Sequence, residues 1–415
     1  MGAPIRPGPA QTIMKLLLAS IDSLPAIGGV SLLAHHLANA LVAEGANVEF
    51  LAPKNSHMPA GFTPDYDLIV DEHSDARVCE GPDWVVGECE RVANLVCDRL
   101  EHGRHDRLIA LHPTYYGQAM LRASQRTGIP LSVFIHGFEL NSQLTPRRRR
   151  ESRRQRAMGF KPTFRREMLN LVRQSDEVLT NSEFTSRIVR QAGRRSNILT
   201  ADCGIPLRTL ERQIAENPDP IAARARFKKD VGLEPETPVI GMLSRLVPHK
   251  NVGALLLALR DVPEAVAVVA GVGDEEGSLR IQAEALGVGE RVIWPGRLHE
   301  DEKWKWLRAF DVFCLLSKQG PLGEVEGFGI SLLEASAAGA PVIAAHSGGM
   351  PSFVHHETTG LLVGLNDTEM LVKEIRRLID DKTCAARYVA AARKQIEERF
   401  NWTTIAKRLI DHWEH

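Results

Sequence analysis

The sequence predicts an α/β protein of two doubly wound domains, each a parallel sheet covered by helices, facing each other across a cleft. Three observations lead there. The 415 residues exceed one typical core and suit two domains of about 200 each. Short apolar runs alternate with helical patterns through both halves, the signature of parallel sheets. Glycines and charged residues gather just after those runs, where open α/β sheets bind their ligands.

The runs in the first half are KLLLAS (15–20), NVEFLA (47–52), DLIV (67–70), RLIALH (107–112), LSVFIH (131–136) and EVLTNS (177–182). An amphipathic helix is expected from Gly28-Gly29 to about Glu44. The second half repeats the pattern with PVIGMLS (238–244), AVAVVAG (265–271), RVIWPG (291–296), DVFCLL (311–316), PVIAAH (341–346) and GLLVG (360–364). A linker is expected around Gly204 to Pro220, which is rich in Pro, Asn and charge, and closing helices near 367–379, 383–398 and 402–413. The expected division is a loose leader over 1–13, an N-terminal domain over 14–205, a C-terminal domain over 206–398 and a final helix over 399–415.

Composition excludes several function classes. The 51 basic and 52 acidic residues nearly cancel, so any electrostatic role must be local. The six cysteines form no Cys-x-x-Cys pair and read as reduced cytosolic thiols rather than a disulfide or zinc framework. No stretch approaches the roughly 18 apolar residues that span a bilayer. The opening MGAPIRPGPAQTIM lacks the apolar core of a secretory signal, and Arg6 argues against myristoylation.

The richest stretch is EVEGFGISLLEASAAGAPVIA, Glu324 to Ala344. A helix is expected to begin near Gly329, with unsatisfied amides and a partial positive charge at its start. Gly327 and Gly329 let the backbone approach a ligand, which together makes a diphosphate site. Glu334 lies one to two turns into that helix, and helical side chains lean toward the N-terminus, so it can reach a hydroxyl pair such as a ribose offers. Glu326, in the preceding loop, can accept from another polyol; alone, each acid could equally be a solvated surface group. In GMLSRLVPHKN (241–251), Arg245 and Lys250 follow a strand, before a helix expected to be capped by Asn251; two cations at a strand end suit a pyrophosphate. GVGDE (271–275) places Gly273 in a turn after a strand, and the backbone from Gly296 through Arg297 and Leu298 could edge a base. His136, in HGFE (136–139), stands at another strand end.

The order of GG, HG, Asn181-Ser182, SRLVPHKN, GVGDE and EGFGISLLEASAAGAPVIA resembles the retaining family 4 glycosyltransferases, the glycosyl transferases group 1, over about residues 14 to 412. The resemblance implies the GT-B fold: two Rossmann-like domains, a nucleotide-sugar donor held mainly by the second, and a last helix packed back toward the first. It implies that Arg245 and Lys250 bind the donor diphosphate and neutralise the leaving group, and that Glu334 binds the ribose. Glu326 would contact the sugar hydroxyls, the amides around Phe328, Gly329 and Ile330 would hold sugar and phosphate, Gly28 and Gly29 would face the diphosphate, and His136 would lie beside the transferred sugar. The loop KQGPLGEVEGFG resembles the mannosyltransferase branch, which tilts the donor toward GDP-mannose over a UDP-sugar.

The family's implied chemistry is retention at the anomeric carbon by front-face attack, a donor phosphate oxygen taking the acceptor proton. No Asp-x-Asp motif accompanies the donor residues, so the expectation is no cofactor and no metal. The acceptor is a glycan, a lipid or a small molecule. RRRRESRRQR (147–156) holds seven arginines in ten residues and reads either as a solvated loop or as a peripheral contact with an anionic membrane; without interleaved aromatics it gives no reason to expect nucleic acid. The expected location is the cytoplasm, either free or peripheral at the inner face of the cytoplasmic membrane. A hydrolysing nucleotide-sugar epimerase of the same fold and a non-catalytic sugar-binding protein are the alternatives.

Overall fold

The computed structural model describes residues 13–21, 23–24, 28–54, 56, 58, 63–75, 85–145, 162–216 and 219–415. Seven strands form the first sheet: β1 (Lys15–Ala19), β2 (Asn47–Lys54), β3 (Asp67–Asp75), β4 (Arg107–Ala110), β5 (Leu131–Ile135), β6 (Glu177–Thr180) and β7 (Ile198–Thr200). Their order is β3-β2-β1-β4-β5-β6-β7. Six form the second: β8 (Val239–Leu243), β9 (Val266–Ala270), β10 (Val292–Gly296), β11 (Val312–Leu315), β12 (Val342–Ala345) and β13 (Leu361–Val363), in the order β10-β9-β8-β11-β12-β13. Pairing is parallel, as in Lys15↔Asn47 through Ala19↔Leu51 and Val239↔Val266 through Leu243↔Ala270. Central strands β5, β11 and β12 are buried along their whole length, which is why they read as near-continuous apolar runs, interrupted only by Ser132 in β5, instead of alternating ones. The expected two parallel, helix-covered sheets are therefore present.

The chain divides into two compact units. One comprises Met1–Phe134, Arg166–Glu177 and Ala406–His415; the other comprises Ile135–Arg165 and Val178–Ile405. In the first, the end of the last helix, Trp402–Glu414, is fixed on Glu177. That carboxylate accepts from His412 at 2.6 Å, from Trp413 Nε1 at 2.9 Å and from Ser132 Oγ at 2.8 Å, and Arg107 lies 5.2 Å above the Trp413 ring. In the second unit, β8, β9 and β11 share one apolar core with the helices Val252–Arg260 and Thr368–Asp380, through residues such as Met242, Leu255, Val269, Cys314 and Leu378.

Two local expectations are corrected, and one strand is added. The stretch expected as a linker contains the helix Leu207–Glu216, an amphipathic segment whose charges cover the outside while Leu210 and Gln213 are buried. Asn251 does not cap the next helix with its side chain. Its backbone is left-handed, at φ 57°, and closes a 3-10 turn over Pro248–Lys250 instead. Strand β7 had no counterpart among the apolar runs, because three residues give too little pattern to register. Five cysteines, Cys89, Cys97, Cys203, Cys314 and Cys384, are free thiols, four of them buried.

Candidate functional site

In the second sheet the order of strands reverses between β8 and β11. That is the switch point at which loops diverge and leave a crevice beyond the strand ends. The loop after β8 carries Arg245 to Lys250, and the loop after β11 leads through Glu326 to the helix Ile330–Ala338.

The three loops after β8, β9 and β10 are joined through their backbones. Ser244 N donates to Ala270 O at 3.1 Å, Leu246 N to Val272 O at 2.9 Å and Gly271 N to Gly296 O at 2.8 Å. A Cβ on Gly271 would stand 1.8 Å from Ser244 O, and one on Gly273 2.3 Å from Leu246 O. The glycines of GVGDE thus have a packing reason within the chain, since only they let the backbones touch. Arg297 is exposed and Leu298 partly buried just beyond Gly296.

The turn Pro248–Lys250 delivers Lys250 to Glu326. Its ammonium forms a close ion pair with Glu326 Oε2, which also accepts from Ser317 Oγ at 3.3 Å. Both side chains are largely covered, at 14% and 16% exposed. Burial raises the Glu326 carboxyl pKa, but Lys250 and the hydrogen bonds outweigh it and hold the group below its ordinary range. Glu326 is therefore an acceptor at neutral pH and not a proton donor. Burial and then Lys250 push the neighbouring His249 imidazole down to about 4, so at neutral pH it is uncharged beside the ionised Glu326. Arg245 differs: it is exposed, its backbone carbonyl accepts from Val247 N at 3.1 Å, and its guanidinium has no ion-pair or hydrogen-bond partner among the described residues.

The helix Ile330–Ala338 starts from Gly329, whose φ of +96° suits glycine. A helix leaves its first amides without intrahelical acceptors; here Leu332 N turns back to Gly329 O at 2.9 Å, and the amides of Ile330 and Ser331 precede it. The Phe328 ring is turned into the core against Phe400, centroids 5.5 Å apart, so only its backbone lies along the turn. Gly327 sits against the strand-end histidine: a Cβ there would be 1.9 Å from His136 O. Two side chains hold this approach, Asn181 Nδ2 donating to His136 O at 2.9 Å and Ser182 Oγ to Gly327 O at 2.6 Å. Gly349 N donates to Glu326 O at 2.8 Å, and Asn141 Nδ2 to Gly323 O at 2.8 Å. His136 N is itself taken up by the Glu139 carboxylate. His136, Lys250, Glu326, Gly327 and the helix start are thereby brought together.

Glu334 is not a solvated helix acid. Its Oε1 accepts from Lys303 Nζ at 2.8 Å, with the two side chains 14% and 12% exposed. Lys303 was not among the residues singled out from the sequence, although Glu300 and Lys303 stand at the i,i+3 spacing of a helical ion pair. Gly28 and Gly29 belong to the other unit and are exposed at the start of the helix Gly29–Ala43. There Gly28 N donates to Ser31 Oγ at 2.8 Å. The arginine run 147–156 lies outside the described residues. Among the described residues, no group of three or more His, Cys, Asp or Glu is placed to hold a metal, and no helix is long and apolar enough to cross a membrane.

Two family profiles match this chain, "Glycosyl transferase 4-like domain" over residues 28–201 and "Glycosyl transferases group 1" over residues 223–395. A Mycobacterium tuberculosis protein named "GDP-mannose-dependent alpha-(1-6)-phosphatidylinositol monomannoside mannosyltransferase" is 39% identical over 199 residues, 47% of this chain and 51% of the relative. The match thus spans about half the length of that relative. The "D-inositol 3-phosphate glycosyltransferase" of Xylanimonas cellulosilytica is 27% identical over 400 residues, 92% of this chain and 91% of the relative. Among solved structures, Anabaena HepE in complex with UDP and glucose aligns with a TM-score of 0.71 at 21% identity, covering 97% of this chain and 99% of that one. Sucrose-phosphate synthase from Thermosynechococcus elongatus aligns with a TM-score of 0.75 at 19% identity, covering 97% and 98%. These two likenesses are of fold. With both profiles matched in order and the GT-B architecture in place, the chain belongs to the group 1 glycosyltransferases.

Proposed function

We propose that the protein transfers a hexose from a nucleoside-diphosphate sugar to an acceptor hydroxyl, with retention at the anomeric carbon and without a metal. GDP-mannose is the favoured donor and a UDP-sugar the next; the acceptor is a lipid-linked glycan, with other glycans and small molecules behind it. The observation that carries the reading is the charge arrangement at the switch point. An unpartnered Arg245 and the Lys250–Glu326 pair stand at the strand ends that bear the helix start Gly329–Ile330.

A diphosphate there meets the guanidinium of Arg245, the first amides of the helix and the positive field of Lys250. The same groups stabilise the charge that grows on the leaving diphosphate as the glycosidic bond breaks. Glu326, kept ionised by Lys250, accepts from sugar hydroxyls and orients the ring. Glu334 accepts from the ribose. The acceptor proton passes to a phosphate oxygen of the donor, since neither Glu326 nor neutral His249 is poised as a base in its place. The GDP-mannose preference is supported by the printed name of the mycobacterial relative. The UDP alternative is supported by the ligand of HepE. A lipid acceptor and the arginine run 147–156 are consistent with work at the cytoplasmic face of an anionic membrane.

The test is turnover by purified protein in a chelating buffer, with GDP-mannose, UDP-glucose and UDP-N-acetylglucosamine offered alongside phosphatidylinositol mannoside vesicles, and the product anomer read by NMR. The expected outcome is mannosyl transfer with an α-linkage from the α-donor. An inverted product, or activity that appears only with added divalent metal, contradicts the mechanism. Transfer from a UDP-sugar alone replaces the donor and keeps the site. Equal sedimentation with anionic and neutral vesicles removes the membrane contact.

A further inference from the structure

The helix Glu300–Ala309 contributes a largely covered cation, Lys303, that the donor reading leaves without a role. Lys303 Nζ lies 2.8 Å from Glu334 Oε1 and 2.8 Å from Glu300 Oε2. The other Glu300 oxygen accepts from Trp304 Nε1 at 2.9 Å, and the ammonium lies 5.3 Å from the centre of the Trp304 ring. Glu334 Oε2 has no partner among the described residues. One carboxylate oxygen is tied down and the other is left open. Burial disfavours the charge on Lys303, but Glu334 and Glu300 outweigh it and raise its pKa. The Lys303 ammonium therefore stays charged across the range where an enzyme works.

An unrestrained glutamate on a helix samples several rotamers and must lose that freedom when it binds a ligand. A glutamate held by one oxygen presents the other at a fixed place before the ligand arrives. We propose that Lys303 is the positioning residue for Glu334, and that the Lys303–Glu334 pair, braced by Glu300 and Trp304, sets the protein's preference for a ribose over a deoxyribose in the donor nucleotide. The proposal rests on the reading of Glu334 as the ribose acceptor. Lys303 touches no part of the ligand in this role and acts through the carboxylate.

The test compares GDP with 2′-deoxy-GDP and 3′-deoxy-GDP by calorimetric titration. Base and phosphates are common to the three, so their contributions cancel in the ratio of dissociation constants. A hydrogen bond to a charged group corresponds to roughly 10- to 100-fold, and wild-type protein is expected to prefer GDP over one deoxy form by that factor. Glu334→Gln is expected to reduce the ratio to about 3-fold or less. Lys303→Met is expected to reduce it nearly as far, and Lys303→Arg to restore most of it. Lys303→Gln, which keeps a donor and most of the length, serves if the methionine variant does not fold, and its expected ratio is intermediate. If Lys303→Met or Lys303→Gln melts lower yet keeps the wild-type ratio, Lys303 is only a staple between helices and the proposal fails. If wild-type protein binds GDP but treats the deoxy forms alike, the ribose reading of Glu334 fails first, and the role of Lys303 with it.

Discussion

The two ends of strand β11 carry carboxylates with opposite fates. At its N-terminal end, Asp311 is saturated. It accepts from Lys228 at 2.6 Å, Arg224 at 3.2 Å, Lys382 at 3.4 Å and the amide of Val239 at 2.9 Å. Burial raises its pKa, and the cations and the amide outweigh that and hold it low. Beyond the C-terminal end, Glu326 shares one lysine and one serine hydroxyl, and Arg245 on the neighbouring loop is left exposed without a partner. The first cluster closes on itself and ties two helices to the sheet. The second leaves positive charge uncompensated next to open helix amides. The difference separates a cluster closed on itself from one that, in the proposed role, an anion completes, and that role agrees with the rule that ligands occupy the carboxyl ends of parallel strands.

Substitutions at the two ends should separate the same way. The largest loss of stability is expected for Asp311→Ala, which leaves Lys228 buried without its counter-charge; urea denaturation should show a loss of about 3–5 kcal/mol. Glu326→Gln, by contrast, should fold and bind nucleotide, while kcat falls by about 100-fold, as when a group that orients the reacting sugar is lost. A drop in folding comparable with that of Asp311→Ala would make Glu326 a structural residue and dissolve the contrast.

Next in size is Gly327→Ala. Its Cβ would meet His136 O at 1.9 Å, an overpacking expected to cost about 1–3 kcal/mol, read as a lower melting temperature together with lost activity. Gly277→Ala, in the helix Glu276–Ala285 with nothing near the added carbon, is the opposite control. It should raise stability by about 0.5–1 kcal/mol.

The smallest effect is a pH slope. In the folded chain His249 refuses a proton until about pH 4, whereas its ordinary value is 6.5. The unfolded state therefore binds more protons within that window, and stability falls as the pH drops through it. His249→Gln should flatten the slope between those limits. An unchanged slope would mean that the imidazole is solvated and that the loop after β8 is more open than it stands here.

Much of this contrast was legible in the amino-acid order. Arg245, Lys250, Glu326 and Glu334 stand out because each follows an apolar run, and strand ends were placed to within one or two residues in β1, β8 and β12. Asn181 and Ser182 were noted only as a dipeptide in a series. Their work is done on backbone carbonyls, and Ser182 reaches one 145 residues away, which no local pattern reports. Lys303 was invisible for another reason. In HEDEKWKW it looks like any charged residue on a solvated helix face, and only the packing of that helix against Ile330–Ala338 leaves it largely covered. The glycines of GVGDE were noticed for their turn, while the reason for them lies in backbone contacts with a different loop. Asp311 was not noticed at all, because a single acid at the start of an apolar run is commonplace, and its three cations come from distant segments.

Arg245 offers the most direct test of the central claim, because in the proposed role its guanidinium binds the ligand and it has no side-chain partner among the described residues to lose. The measurement is calorimetric titration of GDP and UDP into wild-type protein and Arg245→Ala, with urea denaturation of both. A nucleotide that binds wild-type protein should bind the variant at least about tenfold more weakly, a change of about 1.4 kcal/mol, while folding stability stays within about 0.5 kcal/mol. Equal affinity in the two proteins, or no affinity for either nucleotide in wild-type protein, would contradict a donor diphosphate site beyond β8 and β11.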